Sequence, residues 1–361
     1  MKIDGFYIIG SAAGRPAADA TIFADGSADD TYRSERDLEL SHWIPNRTPH
    51  RYKAATSTEI CLNFVAEPPQ GAWDLAVNNH VDVDGILSVF TLLQSDFALE
   101  HRTTLIQAAE MGDFWGWGEK RAQILFQGLT LFMNALQQEK KDLQHLYRLS
   151  FDRVRSLILG DHDRDPGIQD GLRALEASLE RLADPRMQRH EHHSRLVQYC
   201  VPASMAEKHW REILAVPGFN APLSDESFLW PQARNRTDKE RLQLVSVESD
   251  HGWYHDLWYP GYMWADTPRS WRAPGLQFSG STNGYYYAHE GVVRAVEQLQ
   301  GLEQGKGKWI LASEVTPFST IKGRNYPVVL SCMNDLGDPE ASSISPDHVA
   351  SSLGPAFLVS A

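Results

Sequence analysis

The stretch "NNHVDVDG", residues 78–85, sets His80, Asp82 and Asp84 within five positions, between two apolar runs. One imidazole and two carboxylates at this spacing form a ligand set for a divalent cation. In an extended segment alternate side chains point the same way. The spacing therefore predicts three ligands facing one crevice, with Val81 and Val83 turned toward the core. Gly85 then permits a sharp turn into a helix, and Ser88 lies one turn along it on the side of Asp84. Without a cation, two close carboxylates repel and one pKa rises. Mixed nitrogen and oxygen ligands make Mn2+ the first expectation, with Mg2+ the alternative. The competing reading is a turn in which Asp84 caps the helix and Asp82 is a turn residue. That reading gives His80 no role.

The elements around the motif suit a crevice site. "WDLAVNNH" reads as a buried strand and "DGILSVFTLLQ" as the helix after it. Ligands of open parallel sheets bind beyond the carboxyl ends of strands. "GFYIIG" is a second strand candidate, "FADGSADDTY" an acidic turn with Asp-Gly, and "SHWIPNRTPHRYK" a polar, Pro-broken segment. Thr56 and Glu59 form a capping-box pattern opening "TSTEICLNFV". Helical periodicity then runs through "HRTTLIQAAEMG", "KRAQILFQGLTLFMNALQQEKKDLQHLYRLSFDRVRSLIL" and "IQDGLRALEASLERLAD". Beyond about residue 195 strands take over, among them "RLVQYCVP", "RLQLVSVE", "KWILASEV" and "YPVVLSCM". The expected class is α/β. An N-terminal domain over residues 1–195 would combine a parallel sheet with a helical extension, and a smaller α+β domain would fill residues 196–361.

Composition narrows the function classes. The chain has 361 residues, enough for two domains, and a net charge of −13. That charge argues against binding long nucleic acid, while a local metal or basic cluster still admits a small phosphorylated substrate or a short oligonucleotide. The three cysteines, Cys61, Cys200 and Cys332, lack metal or disulfide spacing. With no signal-peptide pattern and no stretch of membrane-spanning length, the expectation is a cytoplasmic protein without a membrane partner. A homodimer is compatible with this reading.

"HVDVDGILS" resembles the first motif of the DHH phosphoesterase superfamily, H-x-D-x-D-G-x-x-S. Over the wider chain, "ELSHWIPNRTPHRYKAATSTEICLNFV" also looks like a bacterial family of uncharacterised proteins. The DHH resemblance implies a two-metal site, usually manganese, between an N-terminal DHH domain and a C-terminal domain that grips substrate. It further implies a lone Asp at a second strand end and Asp-His-His at a third. No literal DHH occurs here. Asp113 in "AAEMGDFWGWG" is the candidate for the lone Asp, though it follows a helix and a helix-end turn explains it equally. For the third motif the nearest match is "LILGDHDRDPG", with Asp161 and His162; capping of the next helix is the plain alternative. "RHEHHSRL" offers His190, His192 and His193, more simply a solvated helix face, and Asp250 and His251 end the strand "LQLVSVESDHGWYHD". Six to seven ligands would come from His80, Asp82, Asp84, Asp113, Asp161, His162 and Asp250.

A phosphoester also needs its oxygens held. "FSGSTNGYYYAHEGVVRAVEQL" places Gly280, Ser281 and Gly284 in a polar loop expected to lead into a helix, whose free N–H groups favour an anion. Lys322 and Arg324 in "STIKGRNYP", and Arg269 and Arg272 in "TPRSWRAPG", are candidate phosphate grips. The aromatic run from Trp253 to Tyr287 could stack a base, or simply pack the second domain. The sequence therefore points to metal-dependent hydrolysis of a phosphoester or phosphoanhydride, with His162 protonating the leaving group. Its rivals are a metal-dependent hydrolase of a non-phosphate substrate and a degenerate metal- or ligand-binding module without catalysis.

Overall fold

Four short segments build a parallel sheet: β1 (Gly5–Ile8), β2 (Thr21–Ala24), β3 (Leu38–Leu40) and β4 (Leu75–Asn78), ordered β1-β4-β2-β3. These elements come from a computed structural model that describes residue 3 and residues 5–205, 209–268 and 271–358. The inner strands β2 and β4, "TIFA" and "LAVN", are buried at every position, as strands covered on both faces must be. The register sets Ala24 beside Leu40 and Phe23 beside Val77. Because all four strands run the same way, the carboxyl ends of β2, β3 and β4 emerge side by side.

Seven helices follow or cover this sheet: α1 (Ser57–Ala66), α2 (Val83–Leu93), α3 (Ser95–Glu100), α4 (Arg102–Asp113), α5 (Lys120–Gln138), α6 (Leu143–Leu159) and α7 (Pro166–Ala183). Thr56 caps α1, its Oγ1 accepting the Glu59 N–H at 3.2 Å. The Glu59 carboxylate does not complete the capping box but faces Arg102 at 3.7 Å. α2 starts earlier than expected. Its N-cap is Asp82, whose Oδ1 accepts the Gly85 N–H at 2.7 Å, so Asp84 already lies in the first helical turn. Gly85 is no hinge either. A Cβ there would sit 2.8 Å from Asn78 Nδ2, 2.9 Å from Asp82 Oδ1 and 3.0 Å from Tyr147 Oη, so close packing is what requires glycine.

The second half forms a six-stranded sheet from β5 (Gln188–His193), β6 (Leu196–Val201), β7 (Leu242–Ser249), β8 (Gly252–Trp258), β11 (Lys308–Leu311) and β15 (Val328–Met333). Its order is β11-β15-β8-β7-β6-β5, antiparallel except for β6 and β7. Two small sheets complete it: β9 (Gln277–Ser279) and β10 (Tyr285–Tyr287) with β12 (Glu314–Val315), and the pair β13 (Thr320–Ile321) and β14 (Arg324–Asn325). Helices α8 (Trp210–Ile213), α9 (Pro231–Asp238), α10 (Glu290–Leu302) and α11 (Pro346–Leu353) accompany them. The fold is thus mixed α/β, with a parallel sheet, a helical extension and an α+β part. The histidines of "RHEHH", expected on a helix face, lie on edge strand β5, where exposed charged and polar side chains discourage pairing with another chain. Among the described residues no helix is long and apolar enough to cross a membrane.

Each half has its own apolar core, and each core borrows from the other. Trp43, Phe114 and Trp115 pack into the second core, while Leu223, Trp230 and Ala233 pack into the first. A division at residue 195 would cut between β5 and its partner β6. Buried amides tie the halves. Gln127 Oε1 accepts the Leu223 N–H at 2.7 Å, and its Nε2 donates to Leu223 O at 3.0 Å and Gly167 O at 3.1 Å. From α9, Gln232 donates to Met111 O at 3.2 Å and Asn235 to Trp115 O at 2.8 Å, so the second half holds the end of α4. Replacing Gln127 by Leu strands a buried Leu223 N–H. It should lower stability by about 1–3 kcal/mol, read as a shifted urea midpoint at unchanged m-value. An unshifted midpoint would show that these bonds do not couple the halves.

Candidate metal centre

Three strand ends deliver the centre. Asp25 directly follows β2, His42 lies two residues past β3, and His80 two residues past β4. Asp82 and Asp84 enter from the start of α2, and Asp113 from the last residue of α4. The ligand atoms fall into two groups, Asp25 with His80 and Asp82, and Asp25 with His42 and Asp84; within each, all atoms lie within 4.8 Å of one another. Asp25 is shared, with one oxygen to each side. Its Oδ2 is 2.9 Å from His80 Nε2, and its Oδ1 is 3.6 Å from His42 Nε2. His80 Nε2 also lies 3.0 Å from Asp82 Oδ2, and His42 Nε2 lies 3.6 Å from Asp84 Oδ2 and 3.3 Å from Asp113 Oδ2. Only the His80 side chain, 27% exposed, gives the centre a face to solvent; the other five residues are buried.

The surroundings aim these atoms inward. His42 Nδ1 is 2.8 Å from Ala55 O, and a proton on Nδ1 satisfies that carbonyl and leaves the Nε2 lone pair free. His80 Nδ1 pairs in the same way with Asn79 Oδ1 at 2.7 Å, and the Asn79 amide is oriented by its own bond to Ser27 O. Asp25 Oδ1 accepts from Trp43 Nε1 at 3.0 Å and Ser57 Oγ at 2.9 Å. Asp84 accepts the Ser57 and Thr58 N–H groups, each at 2.7 Å, at the amino end of α1. What remains without a well-formed hydrogen bond is a convergent set: Asp25 Oδ2, His42 Nε2, His80 Nε2, Asp82 Oδ2 and Asp113 Oδ1 are buried, with only the close His80 contacts to Asp25 and Asp82 between them when that imidazole is protonated. Buried polar atoms are seldom left so, and lone pairs that converge without donors are what a cation satisfies. The chemistry of these residues fits a pair of divalent cations, one that Asp25, His80 and Asp82 would hold and one that Asp25, His42 and Asp84 would hold.

Electrostatics say the same. Four aspartates share one buried volume. Burial, then the Asp25 charge, pushes Asp84 up to about 6. Burial, then Asp84 and Asp82, drives Asp113 well above the ordinary carboxylate range. Burial alone would lower the pKa of His80, but the charges of Asp82 and Asp25 raise it well above normal. Burial would likewise raise Asp25, yet His80 holds it low. Free of metal, a proton on His80 does the work of a cation. The backbone is also constrained, since Asp25 has φ +58 and Gly26 φ +65. Asp tolerates this region better than most residues, and a Cβ on Gly26 would meet Asn79 Oδ1 at 2.1 Å.

The other expected site residues lie elsewhere. Asp161 and His162 sit in the α6–α7 connection, where His162 Nε2 pairs with Arg153 at 2.7 Å and Asp161 is exposed. Neighbouring Asp165 caps α7, so this acidic run serves helix ends. Asp250 and His251 form the exposed two-residue turn between β7 and β8. Gly280, Ser281 and Gly284 lie in a loop that joins β9 to β10 and does not open a helix, so the expected helix N-terminus is not there. That loop nonetheless reaches the first half: Ser27 Oγ bonds Asn283 Oδ1 at 3.0 Å and Gly284 N–H bonds Ile44 O at 2.6 Å. Arg324 is buried, ion-paired with Asp256 and bonded to Leu214 O, which removes it as a phosphate grip. Lys322 is exposed in the β13–β14 turn. Arg272 is spent on the carbonyls of Met263 and Ala265, and Arg269 lies outside the described residues. Trp258 and Trp264 are core residues.

Asp25 and His42 were not singled out from the sequence. Their signal is the one that marked His80, a short apolar run ending in a ligand residue: "TIFAD" and "LELSH" repeat the pattern of "LAVNNH".

After loading with Mn2+ and desalting, elemental mass spectrometry should find about two ions per chain, by the two-metal geometry. Asp25→Ala should lose both, and Asp82→Ala only the ion beside His80; two ions in Asp25→Ala would refute a shared ligand. Protons and metal compete for these groups. Asp84 and His80 are both raised by folding, so the stability from their protonation is present at low pH and lost as pH rises. The metal-induced gain in Tm should therefore be larger at pH 8 than at pH 5.5, and a pH-independent gain would contradict the assignment.

The sequence pattern of a family of unknown function (DUF6687) matches residues 14–209, more than half of the chain and inclusive of all six residues of the centre. No curated protein and no solved structure matches the chain.

Proposed function

The chain belongs to the DUF6687 family, and from its acidic centre we propose that it is a metal-dependent hydrolase of a phosphoester or phosphoanhydride, working through two divalent cations. The observation that carries this reading is Asp25, one carboxylate serving two ligand groups at the carboxyl ends of parallel strands. Mn2+ is the preferred ion, because each group mixes one imidazole with carboxylates. Such a pair supplies Lewis acidity toward a phosphoryl oxygen and an activated water near neutral pH.

The chain's own residues would do the rest. Ala55 O and Asn79 Oδ1 keep both imidazoles in the ligating tautomer. Trp43 and Ser57 fix the shared carboxylate. The N–H groups at the amino end of α1 favour the charged form of Asp84 against the burial that raises its pKa. Loops of the second half roof the first: Asn220 Oδ1 accepts the Val83 N–H at 3.2 Å, and the 280–284 loop rests on Ser27 and Ile44. With the centre otherwise buried, substrate reaches it on the His80 side.

The ligand types also support kinship with the DHH superfamily, in a different chain order. The resemblance implies a lone Asp at a second strand end and Asp-His-His at a third, behind the HVDVD motif; here an Asp and a His, Asp25 and His42, follow strands that precede it.

The test is a panel of phosphoesters, with bis(p-nitrophenyl) phosphate, p-nitrophenyl phosphate and pyrophosphate as first members, assayed with and without Mn2+. Turnover should require metal, and Asp82→Asn should reduce kcat by about a hundredfold or more, the scale of losing one electrostatic stabiliser. Asp161→Asn and Asp250→Asn should match the wild type. Metal-loaded protein inert on the whole panel, or activity unchanged in Asp82→Asn, would overturn the reading.

A further inference from the structure

Phe318 is 71% exposed, while no other aromatic among the described residues exceeds 41%. It stands on the segment between β12 and β13, and its ring stacks on Trp43 with centroids 5.9 Å apart and planes at 24°. Trp43 bonds the shared Asp25 through Nε1 and lies edge-on to His80, centroids 5.5 Å apart. An apolar ring is therefore held in water, one ring away from the solvent-facing ligand of the metal centre.

The segment is built to hold it there. Ser319 N–H donates to Thr316 O at 3.1 Å, Thr316 N–H to Ser319 Oγ at 2.8 Å and Phe318 N–H to Thr316 Oγ1 at 3.0 Å. Tyr326 N–H anchors the turn to the next hairpin through Ser319 O at 2.8 Å. One face of the ring is spoken for by Trp43; with so much of the residue exposed, the other is open.

We propose that Phe318, backed by Trp43, is a stacking platform for the planar ring of the substrate, so that the phosphoester taken by this centre carries a nucleobase. The inference rests on the reading of the centre as a phosphoesterase site and deepens it. Stacking needs only a π-face, so the platform selects for a base without choosing among bases. The net charge of −13 argues against a long nucleic acid and favours a small nucleotide or a short strand end.

The test is calorimetric titration of the full chain, loaded with Mn2+, with adenosine 5′-monophosphate, ribose 5-phosphate and adenosine. The nucleotide should bind about tenfold or more tighter than the sugar phosphate, the scale of one base stack. Phe318→Ala should bring the two to near equality, and Phe318→Trp should keep the preference. The position is exposed, so neither variant threatens the fold. No adenine preference in the wild type, or a full preference in Phe318→Ala, overturns the proposal. Failure of the underlying reading looks different. Adenosine would then bind in a Phe318-dependent way, while the phosphates gained nothing from metal.

Discussion

Everything in this structure answers to four carboxylates, Asp25, Asp82, Asp84 and Asp113, buried in one place. Bare charges cannot be removed from water without compensation. The fold supplies part of it. Asp82 caps α2, Asp84 takes two N–H groups at the start of α1, and Asp25 takes an indole and a hydroxyl. These bonds occupy one oxygen of Asp25 and of Asp82, and leave the other facing the imidazoles. The compensation is incomplete in a directed way, and a cation at each unfilled point is the chemistry it suits.

The same constraint explains why the two halves are not independent. Asp113 is the last residue of a helix, and a helix end is easily frayed. Here Gln232 and Asn235 of α9 hold the carbonyls around it, and Gly261 lets the backbone come so close that a Cβ would lie 2.4 Å from Phe114 O. Phe114 and Trp115 then run straight into the second core. The second half thus positions a carboxylate of the centre without supplying one, besides laying the 218–220, 280–284 and 316–319 segments over it.

That arrangement concentrates the chemistry on one small face. Around His80 lie the strained Asp25–Gly26 turn, the Trp43 indole and the exposed Phe318 ring. Away from it, the charged side chains that drew notice in the sequence settle into ordinary structural work: Asp165 at a helix start, Asp250 in a hairpin turn, Arg324 against buried Asp256. Arg324 illustrates the difficulty best. A guanidinium in "KGRN" looks like an anion grip, and only the tertiary contact between Arg324 on β14 and Asp256 on β8 reveals the carboxylate it neutralises.

The sequence by itself determined the class of fold and half of the centre. The apolar run of β4, the period of α2 and the spacing of His80, Asp82 and Asp84 are local, and local order is what a sequence displays. Asp113 came into view through the resemblance, as its lone Asp, although it ends a helix and not a strand. Tertiary structure alone decided the rest. Asp25 and His42 stand 17 and more residues from each other and from the motif, after strands of four and three residues, too short to announce themselves by periodicity. They join the motif because parallel pairing places β3 beside β2 and β2 beside β4, so that three distant strand ends open into one crevice. Which acids meet is a property of strand order, and strand order is fixed by packing that no single stretch of the chain contains.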